Sequence, residues 1–116
     1  MSERLVNERT GATVLTELER ARGAWGSFRG LMLRKSIPAG YGLLFTPAQG
    51  IHTQFMRFPI DLIFLDHEFN VVKIHEAMPP WRYDFKRAAM VIETAAGAAK
   101  AADIREGDRL LLVENE

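Results

Sequence analysis

The fold of this chain is decided by residues 60–77, which read IDLIFLDHEFNVVKIHEA. Residues 60–65 are apolar on both faces of an extended chain apart from Asp61, a pattern typical of a strand covered on both sides. Residues 66–70 are polar and predict a turn, and residues 71–77 predict the returning strand. The segment therefore predicts a β-hairpin whose first strand lies in the centre of a sheet.

Further elements are predicted on both sides of this hairpin. Alternation of apolar and polar residues or short apolar runs predict strands at residues 13–18, 42–45, 51–56, 89–93 and 109–113. Apolar residues at helical spacing predict a short helix at 25–33, and an alanine-rich stretch predicts another at 96–102. About seven short strands and two short helices, in no alternating order, favour a mostly β (β-rich α+β) fold with a single barrel-like antiparallel or mixed sheet.

Length and charge limit the classes of partner. The 116 residues contain no internal repeat or linker, so one domain is expected over residues 1–116. Fifteen basic residues offset fifteen acidic ones, and a zero net charge gives no overall attraction to nucleic acid or anionic lipid. No nucleic-acid partner and no membrane partner are therefore expected, and the chain is expected to be a monomer or a weak dimer.

Composition also bears on location and cofactors. Cysteine is absent, which excludes disulfides and thiolate chemistry. No apolar stretch approaches the roughly 20 residues that span a bilayer, and the first residues lack a signal-peptide pattern, so a soluble, cytoplasmic protein is expected. Glycine-rich nucleotide loops are missing, and the three histidines lack metal-ligand spacing, so neither a cofactor nor a metal is expected.

Residues 51–61 contain polar groups in a stretch that otherwise suits a core. His52, Arg57 and Asp61 are the unusual positions, because burying a charge is costly unless it is paired. One interpretation is an Arg57–Asp61 ion pair that braces the turn around Pro59. The other is a site in which Arg57 presents its guanidinium to a ligand while His52 and Asp61 orient the ligand or move a proton.

Trp81 is the second unusual position, because it follows two prolines that fix an extended path. A loop tryptophan either covers a core or provides a stacking surface for a ring. The following residues interleave aromatic and basic side chains, a pattern found in single-strand binders and also on ordinary solvated faces. These residues are Trp81, Arg82, Tyr83, Phe85, Lys86 and Arg87.

The same positions carry a family likeness. In chain order they are residues 30–32 with Arg34, 51–61 with 64–66, 71–72, 79–82, Glu93, 96–97 and 107–108. This set, spread over residues 13–112, resembles the small prokaryotic family catalogued as domain of unknown function 192. The resemblance implies a β-rich, barrel-like single domain and supplies no activity. Family members commonly carry secretion signals, which this chain's first residues do not show.

The sequence favours a binding module for a small polar ligand, carbohydrate-like or anionic. The residues expected to contact this ligand are His52, Met56, Arg57, Asp61, Trp81 and Arg82. Two alternatives stay open: a metal-independent or metal-assisted hydrolase or lyase that uses His52 and Asp61, and a purely structural or interaction domain.

Overall fold

The computed structural model describes residues 3–21, 36–46, 48–53 and 57–115. That part of the chain contains nine strands and one short helix. In chain order these are β1 (Glu3–Asn7), β2 (Thr13–Arg20), β3 (Tyr41–Phe45), β4 (Ala48–His52), β5 (Ile60–Leu65), β6 (Val71–Met78), β7 (Tyr83–Ala88), β8 (Met90–Ala95), α1 (Ala98–Ala101) and β9 (Leu110–Glu114).

Seven of the strands form one sheet in the order β6-β5-β8-β3-β2-β1-β9, while β4 and β7 form a separate antiparallel pair. Neighbours in the large sheet are antiparallel except β2 and β3, so the sheet is mixed. Its two edges meet at one end, where Asn70 and Arg109 form a bridge and Val71 N–H donates to the carbonyl of Asp108. The sheet is therefore curled into an open half-barrel, which confirms the mostly β, barrel-like prediction.

The core lies on both faces of this sheet. One apolar cluster takes residues from all seven strands and is closed by Ala99 and Ile104, so it fills the concave side. A second cluster lies on the opposite face of β3, β5 and β8, and Ala48 of β4 and Ala88 of β7 pack against it. Because both faces of β5 are covered, all six of its residues are buried, as its apolar sequence predicts.

The predicted hairpin is confirmed, with β5 at residues 60–65 and β6 returning antiparallel to it. Strands β1 and β7 were not predicted, so the described residues hold nine strands instead of about seven. The alanine-rich helix is present but shorter, as α1, and it is the one helix in the described ranges, where two were expected. The other predicted helix, at 25–33, lies outside the described residues, as do residues 54–56 of the predicted strand at 51–56.

Candidate functional site

Asp61 is fully buried, and its carboxylate accepts hydrogen bonds from three backbone N–H groups. The register of β5 against β6 shifts opposite Asp61, so β6 has an extra residue there, and Ala77 adopts a φ of 48°. Asp61 Oδ1 accepts from the N–H of Ala77 at 2.7 Å, and Oδ2 accepts from the N–H groups of Gly97 at 3.1 Å and Ala99 at 3.0 Å. Asp61 thus fixes a β-bulge and the start of α1 at once, since a carboxylate satisfies donors that the sheet leaves unpaired.

The sequence also predicts ligand contacts by His52, Met56 and Arg57 of the same segment. Arg57 is exposed at a bend, and within residues 57–115 no ion pair joins it to Asp61. The interpretation as an Arg57–Asp61 ion pair is therefore wrong, because backbone amides satisfy the acid instead. His52 ends β4, and its backbone pairs with Tyr83 at the start of β7, which brings it next to the Trp81 loop. Met56 lies outside the described residues. Ligand contact by these residues stays a prediction.

The loop that carries Trp81 is held by one buried threonine. Thr53 Oγ1 donates to the carbonyl of Pro79 at 2.7 Å and accepts from the N–H of Arg82 at 2.9 Å. The backbone of Thr53 makes two more hydrogen bonds, from its N–H to the carbonyl of Arg82 and from the N–H of Trp81 to its carbonyl. These contacts fix Trp81 at a φ of 62°, a left-handed backbone conformation that residues other than glycine rarely adopt.

The loop before β7 exposes Trp81, and β7 itself exposes Tyr83 and Phe85; these three residues are called the aromatic ridge below. They are 54%, 52% and 79% exposed, although large aromatic side chains are normally buried. The rings of Tyr83 and Phe85 are parallel to within 4°, with their centroids 5.8 Å apart. A flat ring of a ligand can extend such a stack, because offset parallel rings attract each other.

The charge beside the aromatic ridge is positive. Arg82, Lys86 and Arg87 are all exposed. The one acid of β7, Asp84, points inward and forms an ion pair with Lys73 of β6 at 2.8 Å. Exposed cations thus accompany the aromatic residues in and just before β7, and that strand carries no exposed carboxylate.

Asp84 is the centre of a polar cluster that the sequence did not reveal. Its Oδ2 lies 2.7 Å from His75 Nδ1 and 2.8 Å from Lys73 Nζ, and Oδ1 accepts from the N–H of Lys86. Burial alone would raise the pKa of Asp84, but these hydrogen bonds outweigh it and lower the pKa to about 2. Lys73 and His75 are two positions apart and therefore lie on the same side of β6, which the sequence already indicated. Strand β7, which brings Asp84 to them, was not predicted.

Glu93 is the second group that the sequence did not single out beyond its family likeness. It follows Ile92, which faces the concave cluster, so its side chain points to the opposite face, between Leu43 of β3 and Leu62 of β5. The residue is only 6% exposed, and no hydrogen bond or ion pair joins its carboxyl to another described residue. Burial raises the pKa of Glu93 to about 8. A lone acid in an otherwise apolar strand was the signal in the sequence.

Residues 3–21, 36–46, 48–53 and 57–115 contain neither a metal-binding cluster nor a membrane-spanning helix. In these ranges no cluster of three or more histidine, aspartate or glutamate side chains is placed to hold a metal ion. No described helix has the length and apolar character needed to cross a bilayer.

The fold and this surface define a small β-rich domain with an exposed aromatic and basic strand. The chain belongs to the family of domain of unknown function 192, described as "Uncharacterized ACR", whose model matches residues 5–112. It is 35% identical to a UPF0127 protein of Thermococcus kodakarensis over 112 residues, covering 90% of this chain and 69% of that protein. It is 32% identical to a UPF0127 protein of Pyrococcus furiosus over 114 residues, covering 91% of this chain and 95% of that protein.

Two solved structures share the fold. A Sinorhizobium meliloti protein described as a "putative transcription regulator" superposes with a TM-score of 0.80 at 27% identity, covering 95% of this chain and 91% of that one. A protein of unknown function from Novosphingobium aromaticivorans superposes with a TM-score of 0.78 at 21% identity, covering 96% and 84%. The second match concerns the fold alone. The family itself is uncharacterised, so function has to be inferred from the chemistry of the site.

Proposed function

We propose that this protein is a binding module whose ligand is a small anionic molecule with a flat ring, bound on the aromatic ridge. The observation that carries the proposal is the conformation of Trp81, which is left-handed and yet more than half exposed. Such a conformation costs about 1–3 kcal/mol and persists where the surrounding contacts enforce it, often at binding sites. Thr53 provides those contacts, so its hydrogen bonds hold the tryptophan in a conformation that exposes the side chain to solvent.

The charges favour the anionic over the carbohydrate-like ligand. Arg82 and Arg87 are exposed beside the aromatic ridge and can donate forked hydrogen bonds to phosphate or carboxylate oxygens. Neutral sugar hydroxyls would gain little from this concentration of cations. In this proposal His52 and Arg57 also contact the ligand, since the backbone of His52 pairs with Tyr83, whereas Asp61 supports the bulge of β6.

The description of the Sinorhizobium meliloti protein as a "putative transcription regulator" supports a binding role over a catalytic one.

Saturation-transfer NMR against nucleoside monophosphates, sugar phosphates and neutral sugars tests the proposal. We expect hits among the nucleoside monophosphates, with contact through the base, and loss of these signals in Trp81→Ala. Val72→Ala is the matched control, because Val72 is an exposed apolar residue on β6, away from the aromatic ridge. If the Trp81→Ala protein gives the same hits as the wild type, the aromatic ridge is not the binding surface.

A second candidate function is acid–base catalysis, and it rests on the cluster around Asp84. An aspartate that holds His75 through Nδ1 leaves Nε2 to exchange a proton, and the His75 side chain is 33% exposed. The enzyme alternative therefore moves from His52 and Asp61 to His75 and Asp84. Hydrolysis of a panel of simple esters and phosphate esters tests it; equal rates for wild type and His75→Gln would exclude this role for the histidine.

A further inference from the structure

We infer that the ligand of the aromatic ridge is single-stranded nucleic acid, whose exposed bases stack on Trp81, Tyr83 and Phe85 while its phosphates contact the basic residues of β7. This inference rests on the binding surface of the proposed function and extends its ligand from a single flat, anionic ring to a chain of such rings. The expectation that no nucleic acid would bind came from the zero net charge of the whole chain. The local charge of β7 is the relevant quantity, because phosphate contacts depend on nearby cations.

The geometry of β7 suits a chain of bases better than one isolated ring. Tyr83 and Phe85 occupy alternate positions of β7, and their parallel rings project to the same side of the strand. The six residues of β7 cover about 17 Å of extended backbone, which is long enough for several nucleotides. Stacking on aromatic side chains tolerates any base, because every base has a flat face.

The charges of the described residues distinguish this ligand from the other polymers. Arg82, Lys86 and Arg87 are exposed in and just before β7, whereas the one acid of this strand, Asp84, is buried against Lys73. A neutral oligosaccharide would stack on the rings but gain nothing from the cations. A double helix would meet the cations, but its bases already stack on each other and offer no free face to the aromatic ridge.

Fluorescence anisotropy of a labelled oligothymidylate of about ten nucleotides tests the inference, since that length exceeds the surface. We expect saturable binding that weakens by about tenfold in Phe85→Ala. Phe85 is 79% exposed, so this variant should fold normally. Val72→Ala should bind like the wild type. Three phosphate contacts predict a slope of about −2 in the logarithm of the affinity against the logarithm of salt concentration. Arg87→Gln should reduce that slope by about 0.7.

Competition with thymidine monophosphate, a neutral oligosaccharide and a duplex of the same length separates the outcomes. If the monophosphate competes as well per molecule as the oligonucleotide, a small ligand is bound, and the inference fails while the proposed function stands. If neither the monophosphate nor the oligonucleotide binds, the inference and the proposed function both fail. Displacement by the oligosaccharide, equal affinity for the duplex, or unchanged affinity in Phe85→Ala each overturns the inference, since each removes base stacking as the source of binding.

Discussion

Replacing Glu93 by glutamine should make the stability of the protein less dependent on pH. The carboxyl of Glu93 lies between two leucines with no described partner, and burial raises its pKa to about 8 from an ordinary value of 4.5. The folded protein therefore holds this proton while the unfolded chain releases it above pH 4.5. Stability falls as pH rises between these two values, because the unfolded state binds fewer protons there.

The size of the effect follows from the two pKa values. Each pH unit between them costs about 1.4 kcal/mol of unfolding free energy, so the interval from pH 4.5 to 7 amounts to about 3 kcal/mol. Above pH 8 the loss is complete, and below pH 4.5 it is absent. About 3 kcal/mol is a large part of the total stability of a domain of this length, which is on the order of 10 kcal/mol.

Urea denaturation followed by circular dichroism at pH 5, 6, 7 and 8 measures this effect. The unfolding free energy of Glu93→Gln minus that of the wild type should grow steadily with pH, because titration of all other groups cancels in the difference. Glu76→Gln is the matched control, since Glu76 is exposed on β6. Parallel pH profiles for the wild type and Glu93→Gln would refute the reasoning, because they would show that Glu93 ionises in the folded protein as it does in the unfolded chain.

Three further substitutions test other parts of the fold by the same denaturation measurement. Asp61→Asn should destabilise by about 2–3 kcal/mol, because one acceptor oxygen for the backbone amides becomes a donor; an unchanged midpoint would contradict the bracing role. Gly42→Ala should cost about 1–3 kcal/mol, because the new Cβ would lie 2.5 Å from Leu15 Cδ1 and 3.1 Å from Ile92 Cγ2; a neutral result would mean that the core repacks freely. Hydrogen bonds from Arg9 are the main reason that the pKa of Asp108 is low, so the wild type should lose stability as pH falls below about 4, whereas Asp108→Asn should start less stable and lose less.

The sequence by itself determined the strand-rich class and the central hairpin. An apolar run can satisfy its backbone only in a sheet or a helix, and six residues bounded by a proline and a polar turn are too few for a helix. Strand β5 was therefore predicted to the residue, and β6 was predicted at residues 71–77, one residue short of its end at Met78. The unusual character of Trp81 was also visible, because two prolines exclude regular structure next to it.

Only the tertiary structure decided which groups pair. Asp61 looked like a partner for the nearby Arg57, but it accepts from Gly97 and Ala99, which are 36 and 38 positions away in the chain. Charge and spacing do not predict such contacts, because backbone amides compete for the carboxylate and become available only where a bulge or a helix start leaves them unpaired.

The same dependence on tertiary contacts explains why strand β7 and its exposed surface were not predicted. Its first five residues are all charged or aromatic, so the pattern did not show which side faces the protein. Packing against β6 turned Asp84 inward to Lys73 and His75 and thereby placed Tyr83 and Phe85 outside. The sequence supplied the aromatic and basic residues; the position of the neighbouring strand determined which of them reach solvent, because a side chain's exposure depends on what the rest of the chain places against it.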